Sequence, residues 1–193
     1  MDNYIKILRE EDFSTSTWSG GKTTEMFIYP EASEYSKKDF KLRISSATVE
    51  LDTSSFTKLD GVYRFITPLN NNLKLTHNGD DLINLQPFEI YEFKGNTDTT
   101  SFGKAKDFNL MLANGAKGHL KSFYIDDKKE IIILAKAGLN VLYSYDCLFR
   151  ISVKEEEYML NSNEILVMRS NEIENIKIQS NESSNILLSH IVL

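Results

Sequence analysis

Short apolar, aromatic and β-branched runs recur along the whole chain, each bounded by Asn, Asp, Gly or Ser, and helix-forming stretches are scarce. That rhythm is the signature of an all-β protein. It predicts strands over residues 4–8, 24–29, 40–51, 62–69, 73–77, 82–85, 88–93 and 108–113, then over 119–125, 130–135, 139–145, 148–153, 164–168, 173–178 and 186–193. Asp126-Asp127-Lys128-Lys129 has the length and polarity of a hairpin connection. Pro30 ends the strand after Tyr29, and the polar segment 31–39 is where a short helical turn or a long loop is expected.

With 193 residues, 41% of them hydrophobic, the chain can bury a core as one large domain or two small fused ones. Net charge is −6, with no Lys/Arg-rich stretch, so nucleic acid is not an expected partner. Cys147 is the only cysteine, which excludes an internal disulfide framework and fits a reducing compartment, the cytoplasm by default. The opening residues lack a signal-peptide pattern and no run approaches the ~20 apolar residues of a membrane span, so neither export nor a membrane partner is expected.

An internal similarity appears when Asn78-Gly79-Asp80-Asp81-Leu82-Ile83 is laid against Asn161-Ser162-Asn163-Glu164-Ile165-Leu166. Each is a turn followed by an apolar strand. The parallel continues with Phe93-Lys94-Gly95-Asn96-Thr97 against Ile176-Lys177-Ile178-Gln179-Ser180, as expected of two related β units of roughly 80 residues.

Polar groups inside these strands carry the functional signal. Gly20-Gly21-Lys22-Thr23 invites a phosphate-loop reading, but Ser16 stands where that motif needs a glycine, and Thr24 to Tyr29 alternates like a strand. A turn presenting Trp18 accounts for the segment better. Period-two geometry puts Phe40, Leu42 and Ile44 on one face and Arg43, Ser45 and Ala47 on the other, leaving space for a ligand or a closely packed strand. Arg64 lies in the apolar run Val62-Tyr63-Arg64-Phe65-Ile66, and its buried charge must be answered. The partner is either a structural carboxylate, Glu25, Glu92 or Asp107, or the carboxylate of a ligand. Asn109 and Met111 share one face of Asp107-Phe108-Asn109-Leu110-Met111; Asn109 bonds either a ligand or a neighbouring loop.

Metal chemistry has little to build on. His77, His119 and His190 are far apart in sequence, and only His77, at a strand end, is a pocket candidate. Cys147 lacks an evident base, and Glu155-Glu156-Glu157 reads as a solvated edge or turn.

In these residues the chain resembles the HutD/Ves family. The family's tryptophan and glycine-rich opening stands here as Trp18, Gly20, Gly21, Thr23 and Glu25, its Arg-x-Ser-x-Ala strand as Arg43, Ser45 and Ala47, and its Asp-Phe-Asn-x-Met as residues 107–111. Phe56, Gly61 and Phe93-Lys94-Gly95 fit its linking landmarks. Tyr63 departs from it, because an aspartate usually precedes the arginine. From Gly115 onward the match rests on length and strand rhythm.

The resemblance implies an all-β bicupin of two small, jelly-roll-like antiparallel barrels, assigned here to residues 1–114 and 115–193 with strand exchange allowed. Family members are encoded with histidine-utilisation genes in some bacteria, which implies a supporting role there through a small carboxylate such as formylglutamate or urocanate. The expected protein is non-catalytic and needs no metal or cofactor. Arg64 and Arg43 would neutralise the ligand's carboxylates, Trp18 and Met111 would wall it, Glu25, Ser45 and Asn109 would hydrogen-bond or orient the arginines, and His77 is a further pocket candidate. Two alternatives are an enzyme on such a metabolite, with Glu25 or His77 moving protons, and an interaction scaffold dimerising through a sheet edge.

Overall fold

The computed structural model describes residues 3–193. Strands fill it in near-continuous succession: β1 (Tyr4–Leu8), β2 (Ser14–Trp18), β3 (Gly21–Tyr29), β4 (Leu42–Val49), β5 (Thr53–Ser55), β6 (Tyr63–Pro68), β7 (Leu73–His77), β8 (Ile83–Leu85), β9 (Tyr91–Lys94), β10 (Thr99–Phe102) and β11 (Lys106–Leu112). There follow β12 (Lys117–Ile125), β13 (Glu130–Ala135), β14 (Gly138–Ser144), β15 (Phe149–Val153), β16 (Glu156–Leu160), β17 (Ile165–Ser170), β18 (Glu174–Ser180) and β19 (Ser184–Val192). Among the described residues, helix is confined to two 3-10 turns, Glu10–Asp12 and Tyr35–Lys37, the second inside the segment where a short turn was expected. Among these residues no helix is long and apolar enough to cross a membrane.

The chain divides into two compact units. Phe13–Ala116 forms one; Lys117–Leu193, joined by the amino-terminal segment through Asp12, forms the other. Because β1 pairs with β17, the first strand belongs to the carboxy-terminal unit, and the amino-terminal unit begins at Phe13 rather than at the first residue.

Each unit is a pair of antiparallel sheets. The amino-terminal unit has the orders β2-β3-β4-β11-β6-β9 and β5-β10-β7-β8, and the carboxy-terminal unit β1-β17-β14-β19-β12 and β13-β18-β15-β16. These sheets end in edge strands, so no closed barrel is present among the described residues. Adding eight to each number in β4-β11-β6-β9 and β5-β10-β7-β8 reproduces β12-β19-β14-β17 and β13-β18-β15-β16. An eight-strand motif therefore occurs twice, with β1 added to one copy and the β2-β3 hairpin to the other.

The register of that repeat differs from the one the sequence similarity implies. Residues 78–83 join β7 to β8, whose counterparts β15 and β16 are joined at Lys154 and Glu155; residues 161–166 lead from β16 into β17. The similarity was one hairpin out of step because Asn-rich turns followed by apolar strands recur at every connection.

The inner faces of the two copies are filled differently. In the carboxy-terminal unit Leu142, Leu166, Met168, Ile186 and Leu188 meet Ile133, Phe149, Ile151, Leu160, Ile176 and Ile178 of the facing sheet in one apolar core. Each such side chain contributes about 1.5–3 kcal/mol by burial. On the inner side of the amino-terminal unit two smaller apolar clusters stand among the described residues, one around Ile66, Leu73, Leu75, Leu85 and Phe93, the other around Phe40, Leu59, Val62 and Met111. Between them the six-stranded sheet carries polar side chains on its inner face.

Candidate functional site

Strand register arranges those polar residues in rungs. Directly paired residues on antiparallel strands share a face, so Thr23, Ala47 and Asp107 form one rung, and Glu25, Ser45, Asn109 and Ile66 the next. Arg43, Met111, Arg64 and Phe93 form a third. Strand spacing sets the Arg43 and Arg64 backbones roughly 10 Å apart with Met111 between them. Leu42, Ile44, Phe108 and Leu110 alternate onto the opposite face and are fully buried.

A cavity of about 320 Å³ lies over these rungs, lined by Trp18, Arg43, Ser45, Arg64, Asn109 and Met111 among others. Of the eight residues named from the sequence, these six converge. Glu25 reaches the site indirectly: its carboxylate accepts from Arg43 Nε at 2.6 Å, and Arg43 Nη1 donates to Ser45 Oγ at 3.0 Å. The charge of Arg43 is thus already answered within the chain. His77 is not among the lining residues. Its ring is held by Thr99 Oγ1 at 2.9 Å and the Tyr91 hydroxyl at 3.0 Å, and stacks on Tyr91.

Arg64 is the unusual member. It is buried, and Nη2 donates to Asn109 Oδ1 at 3.1 Å, but Nε has no hydrogen-bond partner among the described residues. None of the three carboxylates considered from sequence forms an ion pair with it: Glu25 binds Arg43, Glu92 hydrogen-bonds Tyr63, and Asp107 accepts from Asn109 Nδ2. The result is a relay from Arg64 through the Asn109 amide to Asp107. Burial, offset only in part by nearby charge, lowers the Arg64 pKa to about 10. Burial likewise pushes Asp107 up to about 7, against the pull of Arg64, a backbone hydrogen bond from Ala47 and the Asn109 amide.

Aromatic rings complete the walls. The Tyr35 ring lies 4.2 Å from the Arg43 guanidinium carbon, and Phe56 and Phe93 lie 4.6 and 5.4 Å from that of Arg64. Rings over the guanidinium faces leave only the in-plane N–H groups to bind. Tyr35 comes from the short helical turn and Phe56 follows β5, so strand alternation offered no signal for either as a lining residue. Ser54, Ser55 and Thr57 also line the cavity from this second sheet.

The glycine-rich segment is the β2-β3 turn. Gly21 has a φ of 146° and passes so close to β4 that a Cβ would collide with the Thr48 carbonyl oxygen; a Cβ on Gly20 would collide with the Trp18 ring. The indole Nε1 donates to Thr23 Oγ1 at 3.2 Å, which fixes the ring at the cavity wall. Tyr63 points to the opposite face of β6 from Arg64, edge-on to Phe65 at 5.4 Å. Its place before the arginine therefore leaves the cavity unaltered.

No group of three or more His, Cys, Asp or Glu suited to a metal ion occurs among the described residues. His119 and His190, distant in sequence, face each other across β12 and β19 with ring centroids 5.2 Å apart. A more open depression of about 540 Å³ in the carboxy-terminal unit offers less, because its Lys154 is already paired with Glu174 at 2.8 Å.

Paired antiparallel sheets in a duplicated motif, with a polar cavity in one copy, define an all-β protein of cupin-like fold. The chain belongs to the HutD family, whose family model matches residues 10–188. It is similar to the structure of a conserved protein of unknown function, PA5104, from Pseudomonas aeruginosa PAO1, at 20% identity and a TM-score of 0.87 over 98% of this chain and 100% of the other. HutD from Pseudomonas fluorescens SBW25 is similar at 21% identity and a TM-score of 0.75 over 98% of both chains. A cupin 2 conserved barrel domain protein from Leptotrichia buccalis shares the fold at 12% identity and a TM-score of 0.61, over 97% of this chain and 96% of that one. The comparison with curated proteins gives no match.

Proposed function

We propose that this protein is a cytoplasmic bicupin that binds a small carboxylate metabolite in its amino-terminal unit, in support of histidine utilisation, without a metal or cofactor. The observation that carries the proposal is the buried Arg64 Nε, left without a partner in a cavity lined by Arg43, Ser45 and Asn109. A buried guanidinium donor with no acceptor is costly. A carboxylate would offset that cost, and the ring-covered faces of Arg64 direct it to the in-plane donors. Trp18 and Met111 supply the apolar walls that preformed small-molecule sites need.

An enzymatic reading is supported by a different group from those first considered. Glu25 is engaged by Arg43 and His77 lies outside the lining, whereas Asp107 is a buried carboxyl raised toward neutrality at the cavity. Product formation from formylglutamate or urocanate would favour this reading.

Binding is tested by thermal-shift titration with formylglutamate, urocanate and related acids. A ligand at one hundred times its Kd should stabilise the fold by about 2.7 kcal/mol. An unchanged melting curve at millimolar concentration of every acid would count against the proposal. Trp18 is the only tryptophan and lines the cavity, so its emission gives an independent signal for ligands transparent at its wavelengths.

A further inference from the structure

We propose that the cavity takes up a single anionic group together with a proton, the anion on Arg64 and the proton on Asp107. The inference rests on the anion-binding reading above and adds its charge and its coupling. Its basis is the distribution of charge on the inner face of the six-stranded sheet. Arg43 and Glu25 form a close pair, so β3 and β4 together contribute no net charge to that face. What remains is Arg64 from β6 and Asp107 from β11, linked through the Asn109 amide.

The other groups facing Asp107 are few. Ser16, Thr23 and Ala47 stand nearest on β2, β3 and β4; Ser54, Ser55, Phe56 and Thr57 close the cavity from the second sheet, and Tyr35 stands over Arg43. None of these is a carboxylate, lysine, arginine or histidine.

In the empty cavity the ionised Asp107 carboxylate is the countercharge of Arg64. An arriving anion puts a second negative charge beside the same cation, in a space from which Asp107 is fully withdrawn from water. Two anions sharing one cation raise the proton affinity of the more buried one. Asp107 then takes a proton, its Oδ1 still accepting from Asn109. The proton comes from solvent, no bond in the ligand breaks, and the complex holds one positive and one negative charge. Since the unliganded carboxyl already titrates near neutrality, the coupling falls in an accessible pH range.

The linkage has a definite sign. Below the pKa of unliganded Asp107 the proton is already in place and affinity is insensitive to pH; above it each unit of pH should weaken binding about tenfold. The test is titration with sodium propionate, a simple monoanion, followed by Trp18 emission at pH 6, 7, 8 and 9. The wild type should lose affinity steadily above pH 7, and Asp107→Asn, which cannot ionise, should be flat. Propionate binding that is equally tight from pH 6 to pH 9 would overturn the proton coupling while leaving the anion site intact; no propionate binding at any pH would overturn both. If Asp107→Asn does not fold, calorimetry of the wild type at pH 8 in HEPES and in Tris decides. Uptake of close to one proton per propionate supports the inference, and zero uptake overturns it.

Discussion

Arg64 donates to Asn109 through Nη2 at 3.1 Å while its Nε, equally buried, donates to nothing among the described residues. The amide positions the guanidinium without neutralising it, because its other end is committed to Asp107. A fold selected for stability alone would more simply fill the position with an apolar side chain, as the equivalent sheet of the carboxy-terminal unit does with Leu142, Leu166 and Leu188.

Arg64→Met separates stability from binding. The substitution keeps the buried volume and removes the charge, so unfolding free energy in urea should stay within about 1.5 kcal/mol of wild type or rise. The response to carboxylates should vanish. A large loss of stability would instead mark Arg64 as a structural group.

Glu25→Gln should release the charge of Arg43. With the Arg43 guanidinium set free beside Arg64, the cavity should favour dianions, and succinate should gain about tenfold in affinity relative to propionate. Stability should fall by about 1–3 kcal/mol from loss of a partly buried pair. Unchanged succinate preference would mean that Arg43 does not face the ligand.

Asp107 also leaves a mark on stability. Between about pH 4 and pH 7 the folded protein retains a proton on Asp107 that the unfolded chain has released, since the folded pKa is raised to about 7. Folding takes up that proton, so this contribution to stability falls as pH rises through the window. Relative to Asp107→Asn, the wild type should lose up to about 1.4 kcal/mol per pH unit. Urea denaturation of both proteins at pH 4.5, 5.5, 6.5 and 7.5 checks this; a constant difference would contradict the raised pKa.

Gly21→Ala should be costly for a local reason. Its positive φ and its approach to the Thr48 carbonyl leave no space for a methyl group, so a loss of about 1–3 kcal/mol is expected. For a chain of this size that is a fall of several degrees in Tm, measurable by calorimetry. A variant as stable as wild type would show that β3 does not meet β4 in this register.

Much of this was legible in the sequence, for identifiable reasons. Apolar alternation located β1, β7 and β13 to the residue, and Arg43, Ser45, Asn109 and Met111 fell on one face because period-two geometry leaves no choice. β2, β5, β10 and β16 were missed. Three of these are edge strands, and Ser14–Trp18 is exposed along its whole length, so pairing alone makes them strands. β10 is internal, but its buried positions Thr99 and Ser101 are polar. Side-chain contacts across the sheet gap were equally hidden: nothing in the spacing brings Phe56 to Arg64 or Tyr35 to Arg43. Nor could it show that Glu25 answers Arg43 rather than Arg64, a choice made by strand order, which sets β3 beside β4 and away from β6.

The account stands or falls on the unpartnered Arg64 Nε. Its Nε–Hε cross-peak in a ¹H–¹⁵N correlation spectrum, assigned by its loss in Arg64→Met, should move downfield and saturate on titration with urocanate or formylglutamate. A ligand that shifts resonances elsewhere while that cross-peak stays in place would contradict the central claim.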